Sequence, residues 1–349
     1  MPRQLKPDAW LLGAVLFLLL AGVVNVASSA GVIAQDSRVG FIERQIVLAL
    51  VCLVLLLTAL HVDVRPWLEG PFLTWAYWGS VVALGFLFLL PAYHNVHRFY
   101  RIGGFLLQAS EFAKIAVVLV IARLLAEREL RASLLPAAAR AGAPMFLILL
   151  EPDLGISFLI GITVFSMLIL KGLPWKPILI ALGAGLLLGI LAVATVGYRM
   201  QRIEKFVSGT EDQAVYAKIA LGSGGLLGKG LGAGHQKFHY LSKPHTDFAY
   251  AILGEEFGFV GTVLVLAAYG LLFARGMQMA ARLETLSERY TAFGLTLMVT
   301  VQAMIHISVN TNLMPPKGIT LPLVSYGGSS LLSTTLLLAV LLSFSMRKT

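Results

Sequence analysis

Acidic side chains stand at three positions in the segment HTDFAYAILGEE. Asp247 follows His245 and Thr246 at the start of an apolar run, where a carboxylate is suited to general base chemistry or to capping a helix. Both interpretations stay open on these residues alone. Glu255 and Glu256 come eight and nine residues later, about 12 Å along a straight helix. Ionisable groups inside an apolar helix face the protein interior or a watery cavity, so both are functional candidates.

Two shorter motifs add further charge. Glu111 and Lys114 are three residues apart in SEFAK and share a helix face, so they can form an ion pair, either structural or functional. EPDLG places Glu151 and Asp153 in a tight turn, whose residue types turn chemistry alone also explains.

A glycine-rich run, residues 222–234, has seven glycines in thirteen positions around Lys229. Such a run permits close approach of backbone to a phosphate, and it is equally typical of a flexible surface loop. It is not a Walker P-loop, since Ser223 and Gly230 stand where that motif needs Gly and Ser or Thr. HExxH is also absent, so metal ligands are unknown from the sequence.

The composition indicates which elements must position these residues. The chain has 349 residues, 58% hydrophobic and only 13% charged, where a soluble domain has about 25% charged residues. Its mean hydropathy is +0.82. The excess apolar surface must face lipid. The net charge of +9 therefore indicates anionic headgroups or an anionic substrate, and no nucleic acid. The single cysteine, Cys52, excludes an intrachain disulfide.

The apolar runs predict an all-α polytopic membrane protein with ten transmembrane helices in one integral membrane domain, residues 1–349. The fifth span contains Pro144, so we expect it to be tilted, broken or only partly inserted. The predicted spans are 9–30, 44–62, 72–91, 110–126, 136–150, 154–171, 176–196, 248–273, 289–311 and 322–346.

Loop charges predict that both termini are cytoplasmic. The connection between spans seven and eight, residues 197–246, is then a long extracytoplasmic loop. It holds seven Lys and Arg residues, which is unusually basic for that side and suggests that it binds an anion.

Topology brings the charged motifs to the same outer face. Residues 310–330 contain adjacent prolines that forbid a continuous helix, and non-helical backbone at that depth is buried in protein or lines a cavity. Glu111, Glu151, Asp153 and Asp247 are predicted to lie near this segment. Carboxylates and cations beside an apolar route from lipid suit a substrate with a lipid tail and an anionic head.

Several motifs in order identify the chain as resembling the SEDS family (shape, elongation, division and sporulation). The matching segments are ASS at 27–29, RQ at 44–45, QASEFAK at 108–114, EPDLG at 151–155, GSGGLLGKGLG at 222–232, HTDFAYAILGEEFGFVG at 245–261 and PPKGITLPLVSYGGSS at 315–330.

The resemblance implies a ten-helix peptidoglycan glycosyltransferase that polymerises lipid II in the bacterial inner membrane. It implies that Asp247 is required for activity, and that the partner is a class B penicillin-binding protein, a transpeptidase. The chain departs from the family pattern at Ala109 and at Ser242 and Lys243. Its motifs share features with both division-type and elongation-type members and lean toward the division type.

The implied reaction inverts a sugar carbon and needs one base, which we assign to Asp247, and positive charge for the departing diphosphate. No cofactor is certain; a divalent cation, Mg or Mn, is one candidate. The candidate substrate-binding residues are Arg44, Arg101, Glu111, Lys114, Asp153, Lys229, His245, Thr246 and Ser325.

Two other functions fit the same residues. A lipid II flippase would also combine ten spans, intramembrane acids and proline-broken helices, and Glu255 and Glu256 favour it. A non-catalytic scaffold for the transpeptidase would use Asp247 only as a helix cap. A glycan-polymerisation assay separates the three.

Overall fold

The computed structural model describes residues 7–30, 35–91, 97–102, 105–194, 197–239, 241 and 244–346. Ser242 and Lys243, the departures from the family motif, lie outside the described residues. The elements are α1 (Ala9–Ser29), α2 (Gln35–Ala59), α3 (Arg65–Glu69), α4 (Pro71–Phe86), β1 (Tyr100–Ile102), β2 (Phe105–Leu107), α5 (Ala109–Glu127), α6 (Leu130–Leu150), α7 (Leu154–Leu170), α8 (Trp175–Ala194), α9 (Gly197–Val207), α10 (Asp212–Ser223), α11 (Gln236–His239), α12 (Ala249–Arg282), α13 (Leu286–Asn310) and α14 (Gly328–Ser345).

The all-α polytopic membrane fold is confirmed, and each predicted span coincides with a helix. In the described part of the chain, seven helices are long and apolar enough to cross a membrane, namely α1, α2, α4, α6, α12, α13 and α14. The apolar helix α7 is shorter, with 17 residues. β1 and β2 form a small antiparallel hairpin before α5.

Three helix boundaries differ from the predicted spans. α2 begins at Gln35, nine residues before the predicted span, because its polar first turns continue the helix beyond the apolar run. α6 begins at Leu130 and runs through Pro144 without a break, since neighbouring groups in a helix bundle can compensate for the hydrogen bond that proline removes. α14 begins only at Gly328, which leaves residues 311–327 as a non-helical segment that we call the proline loop.

Residues 321–325 of the proline loop are buried in protein, one of the two arrangements predicted for non-helical backbone at membrane depth. Leu321, Leu323 and Val324 are buried. Gly22 lies in the middle of α1 against this segment, where a Cβ would overlap the carbonyl oxygen of Leu323. The hydroxyl of Tyr269, in α12, donates to the Pro322 carbonyl at 2.5 Å. The loop therefore reaches between α1 and α12.

Helices α13 and α14 form the centre of the bundle. In each, 72% of the most apolar stretch is buried inside the protein, against 22% in α2 and α4. The peripheral helices therefore present their apolar side chains outward, as lipid-facing helices do.

α12 is sharply bent at Gly258, whose φ of +66° and ψ of −164° interrupt the helical backbone. A Cβ at Gly254 would lie 3.1 Å from Cγ2 of Thr262, although residues eight apart in a straight helix are about 12 Å apart. We call residues 249–257 the short limb and residues 259–282 the long limb. The bend comes after Glu255 and Glu256, so both acids lie at the end of the short limb away from Asp247, about 12 Å along the helix as predicted.

Hydrogen bonds at the two ends of the bundle define two faces. Arg275 forms an ion pair with Asp8 at 2.5 Å, and the Asp8 amide donates to Ser345 at 3.3 Å. We call this end the Asp8 face. At the opposite end, Asn310 contacts Asp247, and this end is the Asp247 face.

Candidate active site at the Asp247 face

Asp247 lies in the turn that precedes α12 and is partly exposed. The turn is fixed by Asn310 at the end of α13. The Asn310 side-chain amide donates to the Asp247 carbonyl at 3.1 Å, and its oxygen accepts from the Ala251 amide at 3.0 Å. Phe248 occupies the N-cap position of α12. Asn310 therefore supplies an acceptor for one amide of the first turn of α12.

The carboxylate of Asp247 faces the backbone of the proline loop at Gly318. A Cβ at that position would lie 3.8 and 3.9 Å from the two carboxylate oxygens. Gly318 is exposed, so among the described residues the absence of a side chain here leaves space beside the carboxylate. This is the geometry that a general base needs for a hydroxyl group to approach it.

The proline loop is joined to the Asp247 turn by hydrogen bonds through Ser325. Its hydroxyl donates to the Thr246 carbonyl at 2.7 Å and accepts from the Leu321 amide at 2.8 Å. The Tyr326 amide donates to the His245 carbonyl at 2.8 Å. Ser325, a predicted substrate contact, is thus buried between the two loops, whereas His245 and Thr246 are partly exposed.

An aromatic cluster closes one side of the Asp247 turn. Phe41 stacks on Tyr326 at 4.2 Å between ring centroids, and the His245 ring meets both edge-on. Burial raises the pKa of Tyr326, and the charge of Arg44 opposes that rise. The structure therefore brings Arg44, which is exposed on α2, close to the cluster.

Glu111 and Lys114 form the ion pair predicted from their spacing, at 2.6 Å. Both side chains are buried. Lys114 also donates to Gln302 at 2.8 Å, and Gln302 in turn donates to the Thr320 carbonyl at 3.0 Å. Ser333 donates to Glu111 at 2.7 Å. The pair therefore connects α5 to α13, α14 and the proline loop, and Lys114 is only 1% exposed.

Asp153 caps α7 and joins three segments. It accepts from the Ile156 amide at 3.2 Å and from Gln108 at 3.1 Å, and it forms an ion pair with Arg98 at 2.5 Å. Arg98 was not predicted from the sequence, because its distance of 55 residues from Asp153 gives no local signal. Arg101, a predicted site residue on β1, is exposed.

Glu151 is a buried acid beside this ion pair. Burial, together with the charge of Asp153, raises its pKa to about 8, against a smaller opposing effect of Arg98. Gly155 packs against Ile319, the residue that follows Gly318. The EPDLG turn and Asp247 therefore lie against neighbouring residues of the proline loop.

The glycine-rich run is folded onto the bend of α12. The Lys229 and Gly230 amides donate to the Glu255 and Glu256 carbonyls at 3.0 and 3.1 Å. On the other side of Gly258, the amides of residues 259 and 260 donate to the carbonyls of residues 225 and 226 at 2.8 and 3.1 Å. The run therefore replaces hydrogen bonds that the bend removes from α12, a role that neither interpretation of its composition anticipated.

The two acids at the bend, Glu255 and Glu256, each pair with a lysine from residues 197–246. Lys229 pairs with Glu255 at 2.9 Å, and Lys237 pairs with Glu256 at 2.5 Å. The Lys229 side chain is 30% exposed. Glu255 also accepts from the amides of residues 235 and 236. Both acids therefore have compensating partners in the folded chain.

Lys317 is a further cation that the sequence analysis did not single out. It precedes Gly318, and its ammonium lies 5.2 Å from the ring centroid of Phe158. Burial lowers its pKa. The available signal was its position inside the PPKG motif. Among the described residues, no three His, Cys, Asp or Glu side chains converge as a metal site would require.

The chain is similar to known proteins over almost its whole length. The family model described as "Cell cycle protein", which covers FtsW, RodA and SpoVE, matches residues 9–349. Stage V sporulation protein E of Bacillus subtilis (strain 168) is 32% identical, with 98% of each chain covered. A probable peptidoglycan glycosyltransferase FtsW of Coxiella burnetii is 35% identical, covering 96% of this chain and 95% of that protein.

Two solved structures share the fold. A chain of a peptidoglycan synthase complex that coordinates polymerization and crosslinking superimposes with a TM-score of 0.82 at 28% identity, covering 98% of each chain. The rod shape determining protein RodA of Thermus thermophilus gives a TM-score of 0.71 at 28% identity, covering 99% of this chain and 98% of that one.

Proposed function

The chain belongs to the FtsW, RodA and SpoVE family of cell cycle proteins, and from this premise we propose that Asp247 is the general base of its glycosyl transfer. The protein is a multi-pass membrane enzyme, a peptidoglycan glycosyltransferase that polymerises lipid II, and its partner is a class B penicillin-binding protein.

The placement of the Asp247 carboxylate supports this role. It is partly exposed beside the bare backbone of Gly318, and Asn310 rather than Asp247 caps the amide of Ala251. An acid that only capped a helix would not need this open space.

The proposed step is a single displacement. The 4-hydroxyl of one precursor's N-acetylglucosamine attacks C1 of a second sugar, Asp247 accepts the hydroxyl proton, and the bond from C1 to the lipid diphosphate breaks. The change from an α to a β linkage inverts C1, so one base suffices and no covalent intermediate forms on the enzyme.

Positive charge stabilises the departing diphosphate. We assign this role to Arg44, Arg101 and Lys229, which are all exposed. Lys114 is buried against Glu111, so it supports the site by holding Gln302 and the Thr320 backbone. His245, Thr246, Asp153 and Ser325 shape the surroundings of Asp247.

A divalent cation, Mg²⁺ or Mn²⁺, would add charge stabilisation at the diphosphate. Since the described residues contain no three-ligand group, such an ion would be held by phosphate oxygens with one protein carboxylate, the usual arrangement of Mg²⁺ at phosphate substrates.

The Asp247 face is proposed to be extracytoplasmic and the Asp8 face cytoplasmic, in the bacterial inner membrane with both termini inside. The distribution of Lys and Arg between short loops supports this orientation. Residues 197–246 then form an extracytoplasmic loop within a single integral domain.

The structure weakens the main argument for a flippase. Glu255 and Glu256 pair with Lys229 and Lys237 at a bend that joins three segments. This gives them a structural explanation, so they need not line a transport path.

The direct test is Asp247→Asn in the purified full chain with its transpeptidase partner. We expect loss of lipid II polymerisation with unchanged thermal unfolding and unchanged partner binding. Asp212→Asn, an exposed acid in the first turn of α10, is the matched control and should retain activity. Long glycan strands from Asp247→Asn would refute the assignment of the base.

A further inference from the structure

A buried ion pair holds the bend of α12 to two other segments. Lys237 is 1% exposed and Glu256 is 1% exposed. Lys237 Nζ donates to Glu256 Oε1 at 2.5 Å and to the Ser28 hydroxyl at 2.9 Å. The Ser28 hydroxyl also donates to Glu256 Oε1 at 2.5 Å. α1, α11 and the short limb therefore meet at these three side chains, which we call the bend lock.

A buried ion pair of this kind is weak evidence for stability. Removing two charges from water costs about as much as their attraction returns, and well-packed apolar residues often stabilise a protein as much. The geometry of such a pair is nevertheless specific, since its partners must stay within hydrogen-bond distance. The bend lock therefore defines where the short limb lies against α1 and α11.

The short limb connects the bend lock to Asp247. Its nine residues, 249–257, span about 12 Å. The Asp247 end is held by Asn310 and by Asn25, which donates to the Ala249 carbonyl at 3.3 Å. The other end is held by the bend lock. A tilt of about 5° over this length moves one end by about 1 Å, a displacement that can reduce catalysis by about 100-fold.

We propose that Lys237 is a positioning residue, which through Glu256 and Ser28 fixes the short limb and thereby the carboxylate of Asp247. This inference rests on the proposed function of Asp247. Lys237 and Glu256 would then affect catalysis by positioning Asp247, without contacting the substrate.

The test separates positioning from stability with a paired substitution. Lys237→Met alone leaves the Glu256 carboxylate buried and unpaired, so its unfolding temperature should fall. Lys237→Met with Glu256→Gln removes both charges and keeps an acceptor for Ser28, so the unfolding temperature should recover. We expect kcat of the paired variant to stay about 10- to 100-fold below that of the parent chain, with KM for lipid II within about twofold.

Hydrogen exchange measured by mass spectrometry gives a readout that does not require activity. In the paired variant, residues 245–257 should exchange faster, while α13 and α14 keep the protection of the parent chain. The control is Arg65→Met with Glu288→Gln, an ion pair on the Asp8 face whose acid is also buried but whose Arg65 side chain is 40% exposed. It should leave kcat and exchange at the Asp247 turn unchanged.

Recovery of kcat together with the unfolding temperature would overturn the proposal, because the pair would then act only on stability. Unchanged exchange over residues 245–257 would overturn it as well. Failure of the parent chain and its partner to polymerise lipid II would instead refute the proposed function, and the exchange measurement would still decide whether the bend lock fixes the short limb.

Discussion

The role of the glycine-rich run can be tested by two substitutions that differ in one respect. Gly228 and Gly232 have nearly equal φ angles, +84° and +81°. A Cβ at Gly228 would overlap the Glu256 carbonyl, whereas a Cβ at Gly232 would have no atom within 4 Å. Gly228→Ala and Gly232→Ala therefore share the backbone strain and differ in the steric clash.

The expected magnitudes follow from these contacts. The left-handed backbone costs an alanine about 1–2 kcal/mol in either variant. At position 228 the loop must also move away from the bend, which breaks the bonds from the Lys229 and Gly230 amides to α12. Two such bonds contribute about 1–3 kcal/mol together. Gly228→Ala should thus lose about 2–5 kcal/mol and Gly232→Ala only about 1–2 kcal/mol.

The assay is thermal unfolding of the purified protein in detergent, followed by lipid II titration of each variant. Gly228→Ala should unfold at a clearly lower temperature than Gly232→Ala and should lose kcat as the short limb loosens. Equal unfolding temperatures would refute the role of the run as a support for the bend. A raised KM for lipid II in both variants, without the stability difference, would favour the phosphate-binding interpretation instead.

Three further predictions concern the surroundings of Asp247. The pKa of Glu151 is raised to about 8 from 4.5, so the folded chain loses stability as pH rises between these values. Glu151→Gln should therefore make the unfolding temperature depend less on pH in this range. An unchanged dependence of the unfolding temperature on pH would contradict this prediction. Gly318→Ala places a Cβ at 3.8 Å from the Asp247 carboxylate and should be tolerated, whereas Gly318→Val should lower kcat/KM about tenfold or more without changing the unfolding temperature. EDTA should leave the unfolding temperature of the substrate-free protein unchanged, because the described residues form no three-ligand metal group; a fall that Mg²⁺ or Mn²⁺ reverses would reveal a resident ion.

The long apolar helices were predictable because each is an apolar run close to the thickness of a membrane. The pairing of Glu111 with Lys114 was predictable for a similar reason, since both lie within one turn of the same helix. The bend of α12 was not, because a single glycine in an apolar run gives no sign of a positive φ until its neighbours are known. The sequence thus predicted the positions of the long apolar helices better than the bend within one of them.

In the candidate site, too, some features were predictable from the sequence and others were not. That Asp247 would lie near the proline loop followed from topology, and its contact with Gly318 agrees. The partners of Glu255, Glu256 and Asp153 come from residues 19 to 55 positions away in the chain. Pairs so far apart in the chain produce no periodic pattern in the sequence. The sequence therefore identified the charged residues but not their partners, and it left several functions open for them.

The ion pairs at the bend have a consequence for biogenesis. Lys229 and Lys237 precede Glu255 and Glu256 in the chain, so the cations leave the ribosome before the acids that they neutralise. In the proposed orientation, the acids have no counter-charge until the basic segment has been translocated, and inserting them into hydrocarbon is unfavourable. We therefore expect α12 to enter the membrane late, after its preceding segment has crossed, and a translation pause downstream of Arg282 would assist that order.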